Sequence, residues 1–278
     1  MLIAIVHYHL NRGGVTQVIA GHLRALDRQA AAAGGTFRVL VLHGGRAAGW
    51  PDRPLGVNTL ECQVRAVPGL DYDDAAPRAP RGLAARLRAG LAEAGGSPQS
   101  TVVHVHNHAL GKNGSLPGAL AELAGEGWPL LLQIHDFAED FRPLNYQRLR
   151  AGASGQADGD WAAAAYPQAG HVHYAVLNQR DARILAASGV EPQRVHALPN
   201  PAGPLERLRV AESLLEASGH EVVEGAALDR AMEGIQGAIA DVAAAIHHTY
   251  VGSLLDAPPD DDPGAPGGAD RLAVSPDA

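Results

Sequence analysis

Short runs of β-branched residues and leucine alternate with stretches of helical period from the first residue to about residue 201, and this alternation limits the chain to very few folds. A continuous apolar run of strand length fits a strand buried on both faces, and a helix between two such runs supplies the crossover that parallel strands require. The sequence predicts strands at 2–7, 37–43, 58–64, 101–105, 130–134, 172–177 and 194–198. Helices are expected at 15–33, 81–94, 115–125, about 140–150 and 179–188. The pattern implies an α/β domain with a doubly wound, mainly parallel sheet of at most seven strands. Punctuation agrees: Gly34-Gly35 suits a helix stop, Asn178 an N-cap and Gly189 a helix end, while 46–54, 71–80 and 151–160 have loop composition.

After Asn200-Pro201 the texture changes. Residues 205–217 and 226–255 have helical period, and from 257 onward Pro, Asp and Gly dominate. The expected organisation is a domain over 1–201, a helical extension over 202–256 and a disordered tail over 257–278. A hydrophobic content of 46% suffices for a full core, and with aromatics at 4% that core must be built from Ala, Val, Leu and Ile. A formal charge of −8 with no basic run argues against nucleic acid as a partner. The amino terminus has no secretion leader and no apolar stretch nears the roughly 20 residues that span a bilayer. A cytoplasmic protein without an integral membrane segment is therefore expected. Cys62 is the only cysteine, which excludes an internal disulfide and a cysteine metal site.

Polar chemistry gathers where three predicted strands end, and in open α/β sheets ligands sit beyond the carboxyl ends of the strands. The first strand runs into Asn11-Arg12-Gly13-Gly14, where a helix N-terminus offers free N–H groups to a phosphate or a hydroxyl, or simply forms a tight turn. The fourth ends in His104, His106 and His108, whose alternation puts them on one face of an extended strand. That spacing suits either a metal or one buried histidine with two polar neighbours at its mouth. Lys112 and Asn113 follow, Lys112 being the only lysine, as an anion-holding point charge or an ordinary surface cation. The fifth strand ends in His135-Asp136, with Asp140 and Arg142 close behind. His135 and Asp136 suit acid–base or hydroxyl-binding work, whereas Asp140 suits helix capping.

At these residues the chain resembles a retaining glycosyltransferase of the GT-B fold, in family 4. The resemblance rests on Asn11 to Ile19, the His104 to Asn113 strand end, His135-Asp136, Val176 to Asp181 and Arg194 to Pro201. It covers about residues 1–201, corresponding to that family's Rossmann-like, acceptor-binding N-terminal half. It implies that Gly13 and Gly14 lie beside the donor diphosphate and that His135, with Asp136, approaches the transferred sugar. Asn11, Arg12, His106, His108, Lys112, Asn113 and Arg142 fall on the acceptor side, with Lys112 and Arg142 steering an anionic acceptor. The nucleotide sugar is a substrate, and no cofactor or metal is implied. Only 77 residues follow Pro201, too few for the second Rossmann domain of a GT-B enzyme. The expectation is an acceptor domain without a complete donor domain, weakly active or inactive alone. Two alternatives stand beside it. One is a non-catalytic or carbohydrate-binding subunit of a split transferase, with a separate donor domain or a second copy as partner. The other is a metal-dependent hydrolase built on His104, His106 and His108 with His135.

Overall fold

The computed structural model describes residues 1–33, 37–51, 57–73, 79–153 and 161–200. The Gly34-Gly35 stop, the helices expected at 205–217 and 226–255 and the tail from 257 lie outside the described residues. The elements run β1 (Leu2–Val6), α1 (Gly14–Ala33), β2 (Arg38–His43), β3 (Glu61–Ala66), α2 (Pro80–Glu93), β4 (Thr101–His106) and α3 (Leu116–Gly125). They continue with β5 (Leu130–Ile134), α4 (Pro143–Ala153), α5 (Trp161–Ala165), β6 (Val172–Val176), α6 (Gln179–Ala187), a 3-10 turn at Pro192–Arg194 and β7 (Val195–Ala197). All seven strands pair in parallel in the order β3-β2-β1-β4-β5-β6-β7, a Rossmann-like α/β sheet.

Helices cover both faces. Leu40, Leu42, Val103, Val105, Leu130 and Leu132 pack with Leu83 and Leu87 of α2, Leu120 of α3 and Leu185 of α6. On the opposite face Ile3, Ile5, Val39 and Val41 meet α1, whose buried Ile19, Leu23, Leu26 and Ala30 recur at the three- and four-residue spacing of one helical stripe. The chain leaves β1 through α1 toward β2 and later returns to the other side of β1 at β4. The carboxyl ends of β1 and β4 therefore flank the topological switch point, the place where open α/β sheets generally bind ligands.

Three departures from the expected boundaries have physical causes. β3 begins at Glu61, not at 58. The buried Asp27 carboxylate of α1 accepts the N–H groups of Asn58, Thr59 and Leu60 at 3.0, 2.6 and 2.8 Å, which takes them from the ladder. α4 starts at Pro143 rather than near 140, because Phe141 sits at φ 54°, outside helical space, while proline suits a first helical turn. Asp140 is accordingly an exposed turn residue and not the expected cap. α4 also runs to Ala153 and α5 follows, inside and just after a stretch expected to be loop. Asn178 does cap α6, accepting from the Asp181 N–H at 3.0 Å, and Gly189 follows that helix at φ 100°. Among the described residues no helix is long and apolar enough to cross a membrane.

Candidate functional site at the switch point

Asn107 organises this end of the sheet. β4 ends at His106, and Asn107 takes a left-handed φ of 56°, which asparagine tolerates better than most residues. Its Oδ1 accepts the backbone N–H groups of His135 and Asp136 at 2.7 and 3.1 Å, so one side chain fixes the turn that leaves β5. Tyr8, just past β1, donates its hydroxyl to the Asn107 carbonyl at 2.6 Å. Three strand ends are thereby tied together. Asp136 faces the Asn107 amide at 3.5 Å and accepts from Arg142 at 2.7 Å, a half-exposed pair that braces the His135 loop.

Histidines gather at the same strand ends. His106 Nδ1 lies 2.9 Å from His135 Nε2, and His7 Nδ1 lies 3.5 Å from the His106 carbonyl. The His7 and His9 rings approach to 5.5 Å. Burial lowers the His135 pKa to about 4, with Asp136 and Asn200 opposing the shift, and burial followed by the His9 charge lowers that of His7 to about 3. Both are neutral at pH 7. They act as hydrogen-bonding groups rather than cations.

A cationic rim stands beside them. His9 Nε2 meets the Tyr72 hydroxyl at 3.2 Å, and the Tyr72 ring carries the Arg46 guanidinium at 5.0 Å and the Lys112 ammonium at 5.3 Å. Arg46 is engaged twice by Asp71 at 2.5 Å. Burial works to raise the Asp71 pKa, but the Arg46 hydrogen bond and the Tyr72 N–H outweigh it and hold the carboxylate below its usual range. Lys112 thus stands against Tyr72, a residue with no motif to announce it, whose hydroxyl meets His9.

The remaining expected site residues divide. Gly13 and Gly14 stand at the N-terminus of α1, and a Cβ at Gly14 would meet no atom within 4 Å, so packing does not demand glycine there and the helix end stays open. Asn11 Oδ1 accepts from the Ala48 N–H at 2.9 Å, joining the loops after β1 and β2, and Arg12 is exposed. Asn113 is buried and its amide is fully used: Oδ1 accepts from Ser115 and Leu116, and Nδ2 donates to the Gly69 and Asp71 carbonyls. It shapes the loop and presents no group to a ligand. His106 is wholly buried, with its Nδ1 against His135. His108 departs from expectation. The strand stops at His106, the left-handed Asn107 redirects the chain, and His108 turns to the far side, where it meets the Ala165 carbonyl at 2.7 Å beside Tyr166 and Tyr174. It shares no face with His104 and His106. His22 of α1 takes the place expected for it, and the sequence motif gave no hint of that.

No family model matches the chain. Over 103 residues the chain is 29% identical to the mannosylglucosyl-3-phosphoglycerate synthase of Petrotoga mobilis. The matched stretch covers 37% of this chain and 19% of that protein. This distant similarity and the Rossmann-like sheet together fit a glycosyltransferase-like domain.

Proposed function

We propose that residues 1–200 form the acceptor-binding lobe of a retaining, nucleotide-sugar-dependent glycosyltransferase resembling family 4. What supports this reading is that neutral His135, the N-terminus of α1 and the Lys112–Tyr72 pair all follow the carboxyl ends of strands in one parallel sheet. The helix end supplies unpaired N–H groups and a positive dipole for the donor diphosphate. Stabilising the charge that develops on the departing phosphate is the main task of a transfer without a strong protein nucleophile. His135 offers a hydrogen bond to a sugar hydroxyl at a height set by Asn107, and Asp136 with Arg142 holds that turn. The related synthase is named for a sugar conjugate of 3-phosphoglycerate, and an anionic acceptor of that kind matches a rim bearing Lys112.

Calorimetric titration of the purified chain with 3-phosphoglycerate and with a panel of nucleoside diphosphate sugars tests the reading. Saturable binding of the anionic acceptor, weakened about tenfold by Lys112→Ala, supports it. Failure of both ligand classes to bind a folded protein sinks it.

A further inference from the structure

Between α1 and β4 lies a group of imidazoles that the proposed transfer does not use. His22 of α1 and His104 and His106 of β4 are each wholly buried, and each offers one ring nitrogen within 4.8 Å of the others. Their centroids lie 4.3 Å apart for His104 and His106, 5.3 Å for His22 and His104 and 5.6 Å for His22 and His106. Among the described residues, neither nitrogen of His22 has a hydrogen-bond partner, and neither does Nε2 of His106. The outer edges of the β4 pair are held: His104 Nε2 meets the side-chain Oε1 of Gln133 at 2.8 Å and His106 Nδ1 meets His135 Nε2 at 2.9 Å. An amide oxygen only accepts, so the His104 proton sits on Nε2 and its lone pair on Nδ1.

Unpaired buried polar atoms cost about 1–3 kcal/mol each, and His22 occupies a stripe otherwise built of Ile19, Leu23 and Leu26, where leucine would pack without that penalty. Metal-binding histidines characteristically present one nitrogen to the ion while the other is fixed by a neighbouring acceptor, the arrangement seen at His104. Imidazole alone selects zinc, cobalt, nickel or copper, whereas calcium and magnesium require oxygen ligands. A tetrahedral zinc spaces its ligand nitrogens by roughly 3.4 Å at bonds of about 2.0–2.1 Å, a contraction of the present spacing that ring rotation can supply.

We propose that His22, His104 and His106 form a buried site for one divalent transition-metal ion of the zinc class, which pins α1 to β4. The set differs from the His104, His106 and His108 hydrolase reading in its third ligand. Its burial also removes it from substrate, so its role is to hold the fold together. It stands or falls independently of sugar transfer.

The full chain, prepared without a histidine tag and stripped with chelator, is titrated with zinc and with cobalt. One equivalent should bind, cobalt should develop the visible bands of a tetrahedral centre, and the melting temperature should rise by several degrees at saturation. His22→Gln should lose the bands and the shift, while His196→Ala, which breaks the half-buried His173–His196 pair at 3.0 Å, should keep both. X-ray absorption of the zinc-loaded wild type needs no variant to fold, and three imidazole nitrogens at about 2.0 Å are expected. Absence of stoichiometric binding at about 100 μM metal, which corresponds to an affinity weaker than roughly 5.5 kcal/mol, would overturn the proposal. So would a His22→Gln protein that retains bands and shift, or an absorption spectrum with fewer than three imidazoles.

Discussion

At β4 and β5 the two faces of the sheet, made by the same strands, differ in kind. Toward α2, α3 and α6, β4 presents Val103 and Val105 and β5 presents Leu130, Leu132 and Ile134. Toward α1, the alternate residues of those strands include His104, His106 and Gln133, and farther along the sheet His173 and His196 pair on that side. Alternation at period two lets one strand serve packing on one side and polar chemistry on the other, with no residue shared between the tasks. Stability should therefore be concentrated on the first face and ligand dependence on the second.

The sharpest blow to that division comes from Leu132→Ala. Truncating a wholly buried leucine on the apolar face should cost about 2–5 kcal/mol in a chemical denaturation curve, with or without added metal. A smaller loss, about 1–3 kcal/mol, is expected for Asn107→Ala, which strips the acceptor from the His135 and Asp136 N–H groups. The same variant should weaken binding of nucleotide sugar, because the His135 turn is no longer fixed. His22→Leu should go the other way. In chelator it should be as stable as the wild type or about 1 kcal/mol more so, since two unpaired ring nitrogens disappear into an apolar stripe. Zinc should then reverse the ranking, because only the wild type gains from it. Lys112→Ala should shift stability by less than about 0.5 kcal/mol and show its effect only as weaker acceptor binding.

The smallest effect concerns acid. Burial first, and then the His196, Arg194 and His171 charges, lowers the His173 pKa from the ordinary 6.5 to about 4, with Glu191 opposing. Between those values the unfolded chain binds the proton and the folded chain does not. Stability from this group is thus complete above pH 6.5 and is lost as pH falls toward 4. Solvent screens a half-buried ring, so His173→Gln should flatten the acid limb of a melting-temperature profile only slightly.

The sequence made the strands legible because each is a continuous apolar run, and β5 falls at the expected 130–134. β3 was misplaced at its start because a carboxylate on α1, some 30 residues earlier, captures the N–H groups that would extend it. The placing of candidate residues held where they follow strand ends, as at His135 after β5 and Gly13 between β1 and α1. It failed at His108, where alternation holds only while the strand continues and Asn107 breaks it. A histidine at position 22 on an apolar helical stripe was visible in principle. Its meeting with β4 was not, since that depends on which strand α1 crosses. Tyr72 and Asp71 were equally hidden, because they meet Tyr8 and Arg46 from a loop that reads as linker.

With the described strands all running the same way, Met1 emerges at the amino-terminal edge of the sheet and is open to solvent. A surface anchor or fluorophore attached there would leave the carboxyl ends of the strands turned toward the bulk solution. Immobilised that way, the protein offers a direct readout of the anionic-acceptor binding proposed for it.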